Sequence, residues 1–201
     1  MEIVIKDIPA DKINDAISIF AEAFFDDPLF VFAFSEDEIR KRQTRIMYEF
    51  VVNDMVPKLN LTLKGAFANN ELAGVTIYTT PDSYEWGEQM IESITKMREK
   101  ANDSRMNYIG EFARLGGYEP DGEYLYGNEL AVSKNFRKHG IGRTLNKFLI
   151  NECNKFPEAQ GILIDTANEN NVKLYEKWGW ELKAAVDFYQ IKKYFLWKDK
   201  I

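Results

Sequence analysis

The residues best suited to chemistry in this chain stand together, as Arg137-Lys138-His139-Gly140-Ile141-Gly142-Arg143-Thr144. Two glycines at i and i+2 let a backbone turn tightly and approach a ligand with no Cβ in the way. Successive N–H groups opening a helix form a concavity that binds anions, and the helix dipole strengthens it. Arg137, Lys138 and Arg143 add positive charge around the same loop. The chemistry is that of a pyrophosphate cradle, and the plain alternative is a strand-to-helix turn with surface basic residues. Neither G-x-G-x-x-G nor G-x-x-x-x-G-K-[ST] occurs, so a dinucleotide fingerprint and a Walker loop are both absent.

Other reactive side chains are scarce. His139 is the only histidine and Cys153 the only cysteine, which excludes a His-rich zinc site and an internal disulfide and argues against a Ser-His-Asp triad. No metal site is expected. His139 lies inside the glycine loop, where its N–H is of more use than its imidazole. Cys153, late in an apolar helix, reads as a small buried hydrophobe and not as an acyl-carrying nucleophile.

These residues need a scaffold, and the chain of 201 residues, 45% hydrophobic and 14% aromatic, is rich enough to bury one core. Its net charge of −6 is wrong for a general nucleic-acid binder and favours cationic partners. No apolar run is long enough to span a bilayer, and Met1-Glu2-Ile3-Val4-Ile5-Lys6 does not open like a signal peptide. One domain over 1–201, soluble and cytoplasmic, without membrane or nucleic-acid partners, is the expectation.

Periodicity orders the elements. Residues 2–8 alternate as a strand, and Ile13, Ile17, Phe20 and Phe24 mark a helix that breaks at Asp26-Asp27-Pro28. Ser35-Glu36-Asp37-Glu38 has the form of a capping box, with Ser35 as N-cap, for a second helix ending before Pro57. Residues 60–68 and 71–79 form a hairpin turning at Asn69-Asn70. A helical insert occupies about 80–121, one helix from Glu85 to Lys100 and then an irregular connection. A strand over 123–133, a helix from Ile141, the buried strand Ile162-Leu163-Ile164 and a helix from Asn170 to Trp178 closed by Gly179 follow. Strands over 180–186 and 188–198 end the chain. The class is α/β, an α+β layered domain.

Read in order, Leu130-Ala131-Val132, four residues, and Arg137-x-x-Gly140-x-Gly142 resemble the GNAT superfamily of N-acetyltransferases. Asn168-Glu169-Asn170-Asn171-Val172-Lys173-Leu174-Tyr175-Glu176-Lys177-Trp178-Gly179-Trp180 looks like its second signature, with Trp180 where Phe is usual. The insert departs from a minimal member. The resemblance implies a mixed, mostly antiparallel central sheet with a splayed parallel strand pair, flanked by helices. It implies acetyl-CoA as co-substrate: Leu130, Ala131 and Val132 along its pantetheine arm, residues Lys138 to Arg143 and Thr144 at the pyrophosphate, and Asn168 and Asn171 beyond the apolar strand.

The same resemblance makes Tyr175 the general acid. A tyrosine hydroxyl can protonate a departing thiolate without carrying charge into an apolar cleft. Glu129, just before Leu130, is the first candidate for general base, with an outward-facing strand carboxylate as the alternative. Asp26 and Asp27 lie where the first helix ends, in a region that the resemblance places beside the acceptor; the plainer reading, that they terminate that helix, is the expectation. The implied activity is acetyl transfer to a primary amine by direct attack in a ternary complex; a non-catalytic acyl-CoA-binding or regulatory module on the same fold is the alternative. The charge split, basic at 137–143 within an acidic chain, points to a cationic acceptor. The acceptor's identity and the oligomeric state stay open, a homodimer being common for this fold.

Overall fold

A seven-stranded sheet runs through the computed structural model, which describes residues 2–200. Its order is β1 (Ile3–Lys6), β2 (Thr62–Ala68), β3 (Glu71–Thr79), β4 (Leu125–Val132), β5 (Gly161–Thr166), β7 (Ile191–Asp199), β6 (Glu181–Phe188). Every neighbouring pair is antiparallel except β4 and β5. That parallel pair matches only Leu125, Tyr126 and Gly127 with Ile162, Leu163 and Ile164, after which the strands part. A bulge helps to separate them: β3 skips from Ile77 opposite Glu129 to Tyr78 opposite Gly127, so Asn128 is the extra residue on β4.

Helices cover both faces. α1 (Ile13–Ala23) and α3 (Asp37–Phe50) pack with the short α2 (Pro28–Ala33) over β3 and β4, burying Phe20, Phe30 and Tyr48 in the largest apolar cluster. Phe20 and Tyr48 stack there with centroids 5.2 Å apart. α7 (Ile141–Cys153) lies on the opposite face, its Ile141 and Leu145 against Ala66, Ala68 and Ala73. Small alanines on the strands let that helix approach closely. α8 (Glu169–Lys177) packs beside β5 with Val172 and Trp180 in the core. Ile162 and Ile164 point into that cluster while Leu163 joins Phe195 and Trp197 on the other face, as a strand covered on both sides requires.

Local chemistry explains the turns. Asn69 and Asn70 both have positive φ, 50° and 67°, the geometry of a tight hairpin that matches strand twist. Asn168 caps α8 by accepting from the Asn170 N–H at 2.9 Å, and Gly179, at φ 83°, ends the helix.

Four expectations need correction. Ser35 does not cap α3; Glu36 stands at the N-cap with no side-chain bond. Arg40 organises that corner instead, giving its guanidinium to the carbonyls of Phe25, Phe34 and Ser35 at 2.9–3.1 Å. The chain also does not leave the helix before Pro57. A π turn over Val51–Met55 shifts the register, with the Val56 N–H bonded to Val51 O, and leads into α4 (Val56–Lys58). The break at Asp26-Asp27-Pro28 starts α2, with Pro28 at its first position and Asp27 as its cap. Finally, the insert holds two helices, α5 (Ile91–Ala101) and α6 (Met106–Arg114), separated by Asn102 in the left-handed region.

Candidate active site

A cavity of about 670 Å³ opens where β4 and β5 part. Its floor is the sheet, through Ile77, Tyr126 to Leu130, and Ile164 to Ala167. The α1–α3 layer supplies Phe24, Asp27, Met47, Tyr48 and Phe50, and the roof comes from α5 and α6 through Ile94, Met97, Met106, Ile109 and Phe112. Tyr175 and Asn171 enter from α8. The lining is chiefly apolar with a few convergent polar groups, the usual character of a small-molecule site.

Three carboxyl groups stand out against that lining. Glu129, beyond the β4 bulge, accepts a hydrogen bond from the Tyr48 hydroxyl at 3.2 Å. Burial pushes its pKa up to about 8, the Tyr48 bond opposes the shift and the charge of Asp27 adds to it. Asp27 accepts from the Leu29 N–H at 3.0 Å. Burial raises it to about 6, the Leu29 bond lowers it and Asp165 raises it further. Asp165, at the parting end of β5, is raised by burial and drawn back by Lys193. Asp27 thus does more than end a helix: it faces the cavity with Glu129.

Lys193 is buried, 2% exposed, and its ammonium sits 3.3 Å from Asp165. It also donates to the carbonyls of Phe112 and Ala113 at 3.0 and 3.2 Å. One cation therefore neutralises a floor carboxylate and caps the C-terminal end of roof helix α6. The Tyr126 hydroxyl gives Asp165 a second partner.

Tyr175 lies edge-on to Trp178 and Trp180, with centroids 5.5 and 5.4 Å away. Burial, with the nearby Glu129 charge, pushes its hydroxyl up to about 12, so it stays protonated at physiological pH. Asn171 donates to the Thr166 hydroxyl at 3.3 Å. Glu129, Leu130, Asn171 and Tyr175 therefore meet in one cavity. Asn168 does not line it and serves the α8 cap.

The glycine loop forms a separate cradle beyond the strand. Gly140 is the N-cap of α7 at φ 84°, a conformation that favours glycine, and Lys138 also has positive φ, 67°. No side chain caps α7, so the N–H groups of Ile141, Gly142 and Arg143 open outward. Thr144 uses its hydroxyl on Gly140 O at 3.1 Å, and His139 Nδ1 meets Arg137 O at 2.9 Å. Ile141 buries its side chain. At Gly142 the protein itself leaves room: a Cβ there would meet Val132 and Trp178 at ordinary distances, 3.6 and 3.7 Å. Leu130, Ala131 and Val132 pair with β3 on one side only, leaving their other backbone edge facing the gap.

A mostly antiparallel sheet, one splayed parallel pair and a helix N-terminus beside the splay define a GNAT fold. Residues 101–182 match the model of the acetyltransferase (GNAT) domain family. No curated protein sequence matches the chain significantly. Among solved structures, a Corynebacterium glutamicum protein described as histone acetyltransferase HPA2 and related acetyltransferase aligns with a TM-score of 0.74 at 15% identity, over 100% of this chain and 98% of that one. Arabidopsis thaliana NAA60 in complex with acetyl-CoA aligns at 0.58 and 15% identity, over 98% of each chain. An agmatine N-acetyltransferase aligns at 0.59 and 12% identity, over 98% of this chain and 100% of that one. At such identities the likeness is one of fold. Among the described residues no helix is long and apolar enough to cross a membrane, and no cluster of His, Cys, Asp and Glu could hold a metal.

Proposed function

We propose that the protein transfers an acetyl group from acetyl-CoA to a primary amine held in the cavity. The convergence of Glu129, Asp27 and Tyr175 on one apolar cavity at the β4–β5 splay carries this reading. Acetyl-CoA fits two features of the chain: the unpaired edge of residues 130–132 for an amide-bearing arm, and the uncapped N-terminus of α7, flanked by Arg137, Lys138 and Arg143, for a pyrophosphate. Bound there, acetyl-CoA supplies the acetyl group as a thioester.

The chain's own residues do the rest. The amine arrives as a cation, since alkylammonium groups titrate near pKa ~10. Asp27 and Glu129 attract it, and its charge in turn favours their ionised forms. Glu129 takes the proton, directly or through water, freeing the nitrogen lone pair. As the N–C bond forms and the C–S bond breaks, the Tyr175 hydroxyl gives its proton to the departing sulfur, and the second proton that the nitrogen sheds on becoming an amide returns to the Tyr175 oxygen. The apolar walls exclude water that would compete for the acyl group. The agmatine-acetylating neighbour supports amine acceptors for a chain of this fold.

The test is thiol release from acetyl-CoA across a panel of primary amines, with products identified by mass. Release that requires both the protein and an amine supports the reading. Binding of acetyl-CoA with no transfer to any amine overturns it in favour of a binding module.

A further inference from the structure

The arginines divide by partner. Arg40, Arg42, Arg45 and Arg105 all donate to carbonyls, carboxylates or hydroxyls of the chain. Among the described residues four others have no such partner: Arg137 and Arg143 in the glycine loop, and Arg98 and Arg114 on the roof of the cavity. The first pair has an anionic ligand in the proposed function. The second pair has none.

Placement sharpens the contrast. Arg98 is in the last turn of α5 and Arg114 ends α6, and both line the cavity while remaining solvent-exposed. Arg114 folds back along its helix over Gly110, its Nη1 3.5 Å from where a Cβ would stand, and Gly110 itself lines the cavity. A side chain at position 110 would compete for that space. Asp165 is not the counter-ion of Arg114, because Lys193 and Tyr126 already serve it. The carboxylates therefore occupy the floor and the α1–α3 wall and the free guanidiniums the roof, with Met97, Met106, Ile109 and Phe50 among the apolar residues of the same cavity.

We infer that the acceptor is an amphipathic, zwitterionic amine: a primary amine at the floor, an apolar body, and an anionic group such as a carboxylate on Arg98 and Arg114. This rests on the amine-acetylating reading above and names its substrate class. Guanidinium forks suit planar oxyanions, and charge-assisted bonds are the stronger kind. A second ammonium at the roof would meet two positive charges, so a polyamine is the disfavoured acceptor.

The test compares kcat/KM for 6-aminohexanoate, hexylamine and 1,6-diaminohexane, and for 4-(2-aminoethyl)benzoate against 2-phenylethylamine, at low salt. The carboxylated member of each set is expected to lead by about 10-fold or more, the worth of one charge-assisted bond. Arg98→Glu and Arg114→Glu, both at exposed positions, should reverse that order towards the diamine, with unchanged urea midpoints showing the fold intact. Reaction of plain alkylamines as fast as the carboxylated ones, or a ranking untouched by either charge reversal, overturns the inference and leaves amine acetylation standing. Failure of every amine to react overturns the amine reading and this inference with it.

Discussion

A carboxyl group works as a base only where it is ionised, and burial holds Glu129 near about 8. In the free cavity at neutral pH it is therefore mostly protonated, and activity should rise with pH as that proton leaves. The Tyr48 hydroxyl, 3.2 Å away, favours the carboxylate form. Tyr48→Phe keeps the ring on Phe20 but removes that bond, so the rising limb of kcat/KM should move to higher pH. Asp27→Asn removes a neighbouring negative charge, so the limb should move to lower pH. Both shifts are read from rate profiles, and movement in the opposite senses would remove Glu129 from the role. The Tyr175 hydroxyl acts as charge appears on sulfur, so Tyr175→Phe should lower kcat by about 10²–10⁴ while acetyl-CoA affinity, measured by calorimetry, changes little.

The elements hold these groups by two different devices. At the α7 N-terminus the device is backbone conformation, and it separates two glycines that look equivalent in sequence. Gly140→Ala should lower stability to urea because φ 84° strains any side chain, whereas Gly142→Ala should cost little stability, its Cβ meeting protein neighbours at ordinary distances. Equal losses in the two urea melts would refute that distinction. At the roof the device is a buried ion pair. Lys193→Met leaves Asp165 without its cation and α6 without its cap, so stability to urea should fall by about 3–5 kcal/mol. Adding Asp165→Asn should restore part of it, because the stranded charge is gone; no restoration would mean that the α6 cap carries the loss. Local signals made much of this framework legible. Asn69-Asn70, Asn168, Gly140 and Gly179 each specify a backbone turn within a few residues, and their elements stand where the spacing put them, within a few residues at the ends. α2 and α6 were not legible. The first is a six-residue apolar run, Pro28–Ala33, without polar alternation, and the second lies between Asn102 and Gly116-Gly117, which read as loop.

Across the whole molecule, what the sequence could not reveal is whatever depends on distant parts of the chain meeting. Glu129 and Tyr175 could be singled out because they lie beside or inside the segments that carry the resemblance, and both line the cavity. Asp27 looked like a helix terminator, and it is Arg40, gathering the carbonyls of Phe25, Phe34 and Ser35, together with the buried Leu29 and Phe30, that holds its segment in place on the cavity wall. Asp165 did carry a usable signal, a single carboxylate at the C-terminal end of an otherwise apolar parallel strand, the position where α/β sheets commonly place ligand-binding groups. Lys193 carried only alternation, which sets it on one strand face with Ile191, Phe195 and Trp197 while Lys192 takes the other, and which says nothing of the partner it finds in Asp165. The central claim is that this cavity moves an acetyl group onto an amine with Glu129 as base. Its most direct test is the pH profile of kcat/KM for the best amine, with the N-acetylated product verified by mass, in the wild-type protein and in Glu129→Gln. The account predicts a limb rising through about pH 8 in the wild type, as the Glu129 proton leaves, and its loss together with most of the rate in the variant. The same profile and rate in both proteins would contradict it.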